Sequence, residues 1–130
     1  MLNMDKKLIK RQEDGQIIKT GIVGAGQMGR GMVTQMVLMN GMMPAIVSDI
    51  KVENAVNAFK YAGVKEDDIA IAKTLADANA AMEAGKYVAC EDANFVSQAN
   101  LVECAIDATG VPDVGAKVAT DAMKNKKHVV

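Results

Sequence analysis

Residues 20–29 read TGIVGAGQMG: an apolar run from Thr20 to Val23 feeds into Gly24, Ala25, Gly26, Gln27, Met28 and Gly29, and an amphipathic segment follows from about Gln27. The placement carries more than the GxGxxG spacing, because a chain with 11 glycines in 130 residues produces close glycine pairs by chance. Where a strand enters a helix N-terminus through such a turn, unpaired N–H groups and the positive end of the helix dipole face outward and can hold a pyrophosphate. On that reading Gly24 permits the tight turn, Gly26 lets backbone approach phosphates with no Cβ in the way, and Gly29 lets the helix pack close to the strand.

Asp49 supplies the second half of the pattern. It ends the apolar run Ala45, Ile46, Val47 and lies about 20 residues beyond Gly29, as a βαβ unit requires. An acidic side chain at the tip of a second strand can accept hydrogen bonds from adenosine ribose hydroxyls and would repel a 2′-phosphate, which favours NAD over NADP. Lys51 blurs that preference, since an ammonium there could pair with a 2′-phosphate or simply be solvated on the next helix. Asp49 also suits an N-cap of that helix, a role compatible with ribose binding.

A chain of 130 residues is one domain, large enough for a two-sided α/β core and small for a complete dehydrogenase. Half the residues are apolar, and 15 Lys and Arg nearly balance 16 Asp and Glu, so no long-range field points to nucleic acid or an acidic membrane. Cys90 and Cys104 have no metal-ligand spacing and His128 is the only histidine, so no metal site is expected. Signal-peptide patterning is missing, and no apolar run approaches the roughly 18 residues of a membrane span. The expectation is a cytoplasmic protein with buried free thiols.

Residues 4–13 read as a polar helix anchored by Leu8 and Ile9, so that 1–16 form an N-terminal helix and turn and 17–130 the dinucleotide-binding domain. Strand one is expected over Ile18 to Val23, followed by a helix to about Asn40, stopped by Asn40 and Gly41. Met28, Met32, Met36 and Met39 share one face of that helix, which core packing explains. Pro44 opens strand two, Val52 to Tyr61 form an amphipathic helix, and Asp68 to Ala72 a short third strand. Thr74 with Asp77 resembles a capping box for a helix from Leu75 to Ala84. Tyr87 to Cys90 read as a short strand or extended edge, Phe95 to Gln98 as one helical turn, and Glu91 and Asp92 as an acidic loop.

Leu101 to Ala108 read as a central strand leading into Ala108, Thr109 and Gly110, with Pro112 opening a helix whose C-terminal end suits Lys124, Lys126 and Lys127. In an open α/β sheet the carboxyl edge, where that loop joins the glycine turn, is where ligands bind. The chain stops inside an apolar strand at His128, Val129 and Val130, which points to a fragment. The expected fold is a Rossmann-type, doubly wound, mainly parallel sheet with helices on both faces, truncated after the fifth core strand.

IKTGIVGAGQMGRG (residues 18–31), VSDIK (47–51), AGVKEDDIAIA (62–72), EAGKYVACEDANF (83–95), IDATGVPDVGA (106–116) and KKHVV (126–130) together resemble the N-terminal NAD(P)-binding domain of homoserine-dehydrogenase-like oxidoreductases. The likeness is nearest to the branch with a C-terminal SAF domain, which includes deoxyxylulose-phosphate-reductoisomerase-like enzymes. The resemblance implies that Gly24, Ala25, Gly26, Gln27, Met28 and Gly29 surround the pyrophosphate, and that Asp49, with Lys51, faces the adenosine ribose. Ala108, Thr109 and Gly110 would then lie by the nicotinamide-side ribose. It further implies a catalytic domain beyond Val130 that handles a small-molecule substrate and supplies any homo-oligomer contacts.

No residue of the chain reads as catalytic: His128 suits a solvated helix end, Asp107 a structural role beside the loop, and Glu91 with Asp92 an acidic loop. The leading function is the cofactor-binding part of an NAD(P)-dependent oxidoreductase. A non-catalytic NAD(H)-sensing module and a structural domain with a vestigial glycine turn are the competing readings, since one scaffold hosts many roles.

Overall fold

A computed structural model describes residues 3–130; Met1 and Leu2, within the 1–16 segment, lie outside the described residues. Helix α1 (Met4–Glu13) precedes β1 (Ile18–Val23), α2 (Gln27–Leu38), β2 (Met42–Ser48) and α3 (Val52–Tyr61). After a 3-10 turn (Glu66–Asp68) come β3 (Ile69–Ala72), α4 (Leu75–Glu83), β4 (Tyr87–Cys90), α5 (Ala93–Gln98), β5 (Cys104–Asp107), α6 (Pro112–Lys124) and β6 (His128–Val129). The six strands form one sheet in the order β3-β4-β2-β1-β5-β6, every pair parallel. This is a Rossmann-type sheet, with Tyr87–Cys90 an inner strand rather than an edge.

Parallel strands covered on both faces must be apolar on both, and consecutive residues of β1 and β2 show it. Ile22 and Val47 pack with Val33 of α2 and with Ala55 and Phe59 of α3. Val23 and Ile46 face the opposite way, onto Val96 of α5, Val118 of α6 and Met82 of α4. The chain moves from β1 to β2 on one side and later crosses from β4 to β5 on the other side of β1. The carboxyl end of β1 is therefore the point where strand order reverses, the place where such sheets bind ligands.

Several elements depart from the sequence expectation. Pro44 is the third residue of β2, not its first, and is buried. Thr20 pairs with Pro44 and Gly21 with Ile46, so Ala45 bulges, and β4 pairs with β2 only from Ile46 onward. A residue without an N–H fits beside a bulge on a locally unpaired strand. Helix α2 ends at Leu38 because Met39 is already extended, and only Gly41 (φ 74°), not Asn40, takes the left-handed conformation. Gly41 backs onto the Leu8 carbonyl of α1 and donates its N–H to Gln12 Oε1 at 2.8 Å.

Met32 and Met36 pack on the core, whereas Met28 is 70% exposed. At α4 the Thr74 hydroxyl accepts the Asp77 N–H at 3.1 Å. Strand β5 starts only at Cys104, since Val102 N–H turns back to the Ala99 carbonyl at 3.3 Å. Lys127 serves α5 rather than α6: its ammonium donates to the carbonyls of Ala99 (2.6 Å) and Val102 (2.7 Å), and partial burial lowers its pKa.

Cys90 lies in the core at the end of β4, where burial first and the Asp92 carboxylate second push its thiol up to about 12. The fold thus keeps a proton that the unfolded chain releases from about pH 9. Stability from this group is intact below that pH and falls as pH rises towards 12. Denaturant unfolding at neutral and alkaline pH is expected to show a steeper alkaline loss in the wild type than in Cys90→Ala, and Cys90 is expected to resist maleimide until the chain unfolds.

Candidate functional site

The glycine turn joins β1 to α2 with three glycines in three different jobs. Gly24 takes φ 100°, a conformation that favours glycine, and a Cβ there would sit 3.0 Å from the Ala108 carbonyl oxygen. Its N–H donates to the Ser48 carbonyl at 2.8 Å, tying the turn to the end of β2. Gly26 is extended (φ −73°, ψ −163°), and a Cβ there would enter open space. Gly29 is buried in the first turn of α2, where a Cβ would overlap the Gly24 carbonyl oxygen. No side chain caps α2 and no acidic residue lies in its first turn. The positive end of its dipole is therefore not compensated from within the helix.

Asp49 is not the N-cap of α3; Lys51 holds that place, without a side-chain cap bond. The Asp49 carboxylate grips its surroundings instead. Oδ2 accepts the Ala25 N–H at 2.9 Å, and Oδ1 accepts the Lys51 N–H at 2.9 Å and Asn54 Nδ2 at 3.2 Å. The tip of β2 and the glycine turn are thereby one hydrogen-bonded unit. A carboxylate has about four acceptor sites, so it can still take a hydroxyl.

The loop after β5 is built from Asp107 upward. Ala108 N–H donates to the Val23 carbonyl at 2.8 Å, continuing the β1 pairing. Asp107 Oδ1 accepts the Thr109 N–H at 3.0 Å and the Thr109 hydroxyl at 2.7 Å, and that hydroxyl accepts the Val111 N–H at 3.1 Å. Gly110 completes the turn at φ 68°. Asp107 and Thr109 are thus occupied in holding the loop.

Loops after β1, β2, β4 and β5 converge on a cavity of about 410 Å³ whose lining includes Gly24, Gly26, Asp49, Glu91, Ala108 and Thr109. Its size is in the range of small-molecule pockets, about 300–1,000 Å³. Of the residues expected from sequence, Gly29 supports the turn from within, and Ala25 has its N–H committed to Asp49. Gln27 and Met28 face a separate surface hollow on α2, and Lys51 and Gly110 are exposed outside the cavity lining. Ile50, 89% exposed, and Ser48, whose enclosed hydroxyl has no partner among the described residues, join the lining without having been singled out by the sequence. Both flank Asp49, and that adjacency was the available signal.

Among the described residues no cluster of His, Cys, Asp or Glu could hold a metal ion, and no helix is long and apolar enough to cross a membrane. No family model matches the chain, and no curated protein matches it in sequence. Solved structures do share its fold. A myo-inositol dehydrogenase from Lactobacillus casei, determined with NAD(H) and myo-inositol, superposes with a TM-score of 0.62 at 18% identity over 87% of this chain. A scyllo-inositol dehydrogenase from the same organism, determined with NAD(H) and scyllo-inositol, gives 0.61 at 18% identity over 87% of the chain. The chain spans 27% of the length of each of these enzymes.

Packing at the turn gives opposite expectations for two glycines. Gly29→Ala is expected to destabilise the fold by about 1–3 kcal/mol through overpacking against Gly24. Gly26→Ala, with open space before it, should change stability by about 1 kcal/mol or less. Urea titration of both variants checks the contrast.

Proposed function

We propose that this chain is the dinucleotide-binding domain of an NAD(P)-dependent oxidoreductase. The observation that carries the reading is the division of labour at the turn. Gly24 bends it, Gly29 seats α2 on it, and Gly26 leaves open space before an uncapped helix N-terminus, with the Asp49 carboxylate beside it. The N–H groups of that helix start hold the pyrophosphate, Asp49 takes an adenosine ribose hydroxyl at its remaining acceptor site, and the backbone of Ala108 to Gly110 borders the nicotinamide-side ribose. Bound there, the cofactor supplies hydride exchange with a carbonyl or alcohol carbon of a small polar substrate.

The motifs of residues 18–31, 62–72 and 106–116 favour a parent similar to homoserine-dehydrogenase-like enzymes with a SAF domain. Substrate groups and proton transfer then belong to a further domain, in a cytoplasmic protein that can form homo-oligomers. Asp49 favours NAD over NADP by charge.

A regulatory NAD(H)-sensing module is the second reading. The occupied state of Asp107 and Thr109 favours it, as does the exposed position of His128 on β6, outside the cavity lining. Turnover by the isolated chain is not expected on either reading.

Calorimetric titration tests the cofactor role. NADH is expected to bind more tightly than NADPH, and Asp49→Ala is expected to weaken NADH and to narrow or invert the ratio. No heat with any of the four oxidised and reduced dinucleotides at millimolar ligand would sink the proposal.

A further inference from the structure

Asn40 and Gly41 are the only Asn-Gly pair in the sequence and stand between α2 and β2, at the edge of the sheet opposite the glycine turn. An asparagine before glycine is chemically labile, because no Cβ on the following residue shields its peptide nitrogen from the asparagine side chain. That nitrogen attacks Asn40 Cγ, its proton departs with the displaced amide as ammonia, and a succinimide ring closes. Water then opens either imide bond, giving aspartate or isoaspartate. The Asn40 side chain is exposed and borders a hollow of about 280 Å³ between α1 and the end of α2, so the water needed is at hand. No bulkier residue can replace the glycine: it takes φ 74°, and a Cβ there would overlap the Leu8 carbonyl.

The attacking nitrogen is held back by α1. Gly41 is buried, its N–H donates to Gln12 Oε1 at 2.8 Å, and its carbonyl accepts the Ile18 N–H at 2.8 Å. Ring closure needs the nitrogen stripped of that proton and swung towards Asn40 Cγ, and the two hydrogen bonds oppose both movements. The guard itself is lightly mounted. None of the α1 side chains is fully buried, and no other helix or strand packs broadly against it. A terminal helix so placed opens locally at a free energy well below that of global unfolding.

We propose that Asn40 is a self-modification site gated by α1: the docked helix withholds the Gly41 nitrogen through Gln12, and undocking releases it to form the succinimide. Isoaspartate carries the chain through an extra main-chain carbon just before Gly41, which then no longer meets Leu8 and Ile18 in register. The modification thereby fixes α1 in its released state. The cavity at the carboxyl edge of the sheet is remote from this loop, and the inference is independent of what binds there.

The test incubates the full chain in mildly alkaline buffer and follows two readouts: amide-to-acid conversion at Asn40 by peptide mapping, and hydrogen exchange of the Gly41 amide by NMR. The folded wild type is expected to convert about tenfold or more slowly than the urea-unfolded chain. Gln12→Ala should speed both conversion and exchange about fivefold, the effect of one lost hydrogen bond on local opening. Gln12→Glu, whose carboxylate accepts the same N–H, should keep the wild-type rates. Asn57, which precedes Ala58, is the internal control and should convert at one slow rate in all three proteins. Equal conversion in folded and unfolded wild type overturns the guard, as does a Gln12→Ala chain that changes neither readout. A Gln12→Ala chain in which Gly41 exchanges faster while Asn40 converts no faster overturns the link between docking and modification.

Discussion

The carbonyl oxygen of Gly24 occupies the space that a Cβ on residue 29 would need, and the position of α2 follows from that contact. With no side chain between them, the first turn of the helix sits directly on the end of β1. Val33 is thereby brought onto Ile22 and Val47 in the core of that face. The same contact aims the helix start across the carboxyl edge of the sheet, where strand order reverses. Core and site therefore share one constraint, and a substitution there acts on both.

The turn does not stand unaided. The Ser48 carbonyl takes the Gly24 N–H, the Asp49 carboxylate takes the Ala25 N–H, and the Ala108 N–H reaches the Val23 carbonyl from the other side. Asp49 is thus a brace for the turn before it is a partner for any ribose. Its two oxygens act on different neighbours: one holds the glycine turn, and the other sets the first residues of α3 through Lys51 and Asn54. A loop fixed by three strands keeps its shape when a ligand arrives, which limits the ordering cost of binding.

β1, α3 and the turn and packing roles of Gly24 and Gly29 were legible in the sequence because each rests on local rules: β-branched runs, i to i+4 spacing and backbone sterics. Tertiary decisions were not. Pro44 reads as a strand opener, yet it is tolerated inside β2 because β4 leaves that stretch unpaired, a fact about a strand some 40 residues away. Residues 101–103 alternate like a strand, but the Val102 N–H turns back to Ala99 of the α5 end and its carbonyl is taken by Lys127, so pairing with β1 begins at the Glu103 N–H. Around the site, the glycines and Asp49 were visible as a motif. Glu91 and Ile50 were not, since only the convergence of separate loops gives an acidic loop and an exposed isoleucine a shared cavity.

The crossover from β4 to β5 also imposes an order on assembly. β1 finds its first neighbour, β2, within a short stretch of chain, but its other edge stays open until β5 is made. The Glu103 carboxylate that meets the Lys19 N–H lies 84 residues downstream. During synthesis β1, one of the two middle strands of the sheet, therefore has an unpaired flank, and the four strands β3, β4, β2 and β1 can be joined before the crevice beside β1 has a second wall. Pairings of such long sequence separation are slow to form. The β1 edge beside the crevice accordingly closes only after β5 and not with its nearer neighbours, and a nascent chain is exposed to mispairing at a middle strand of the sheet.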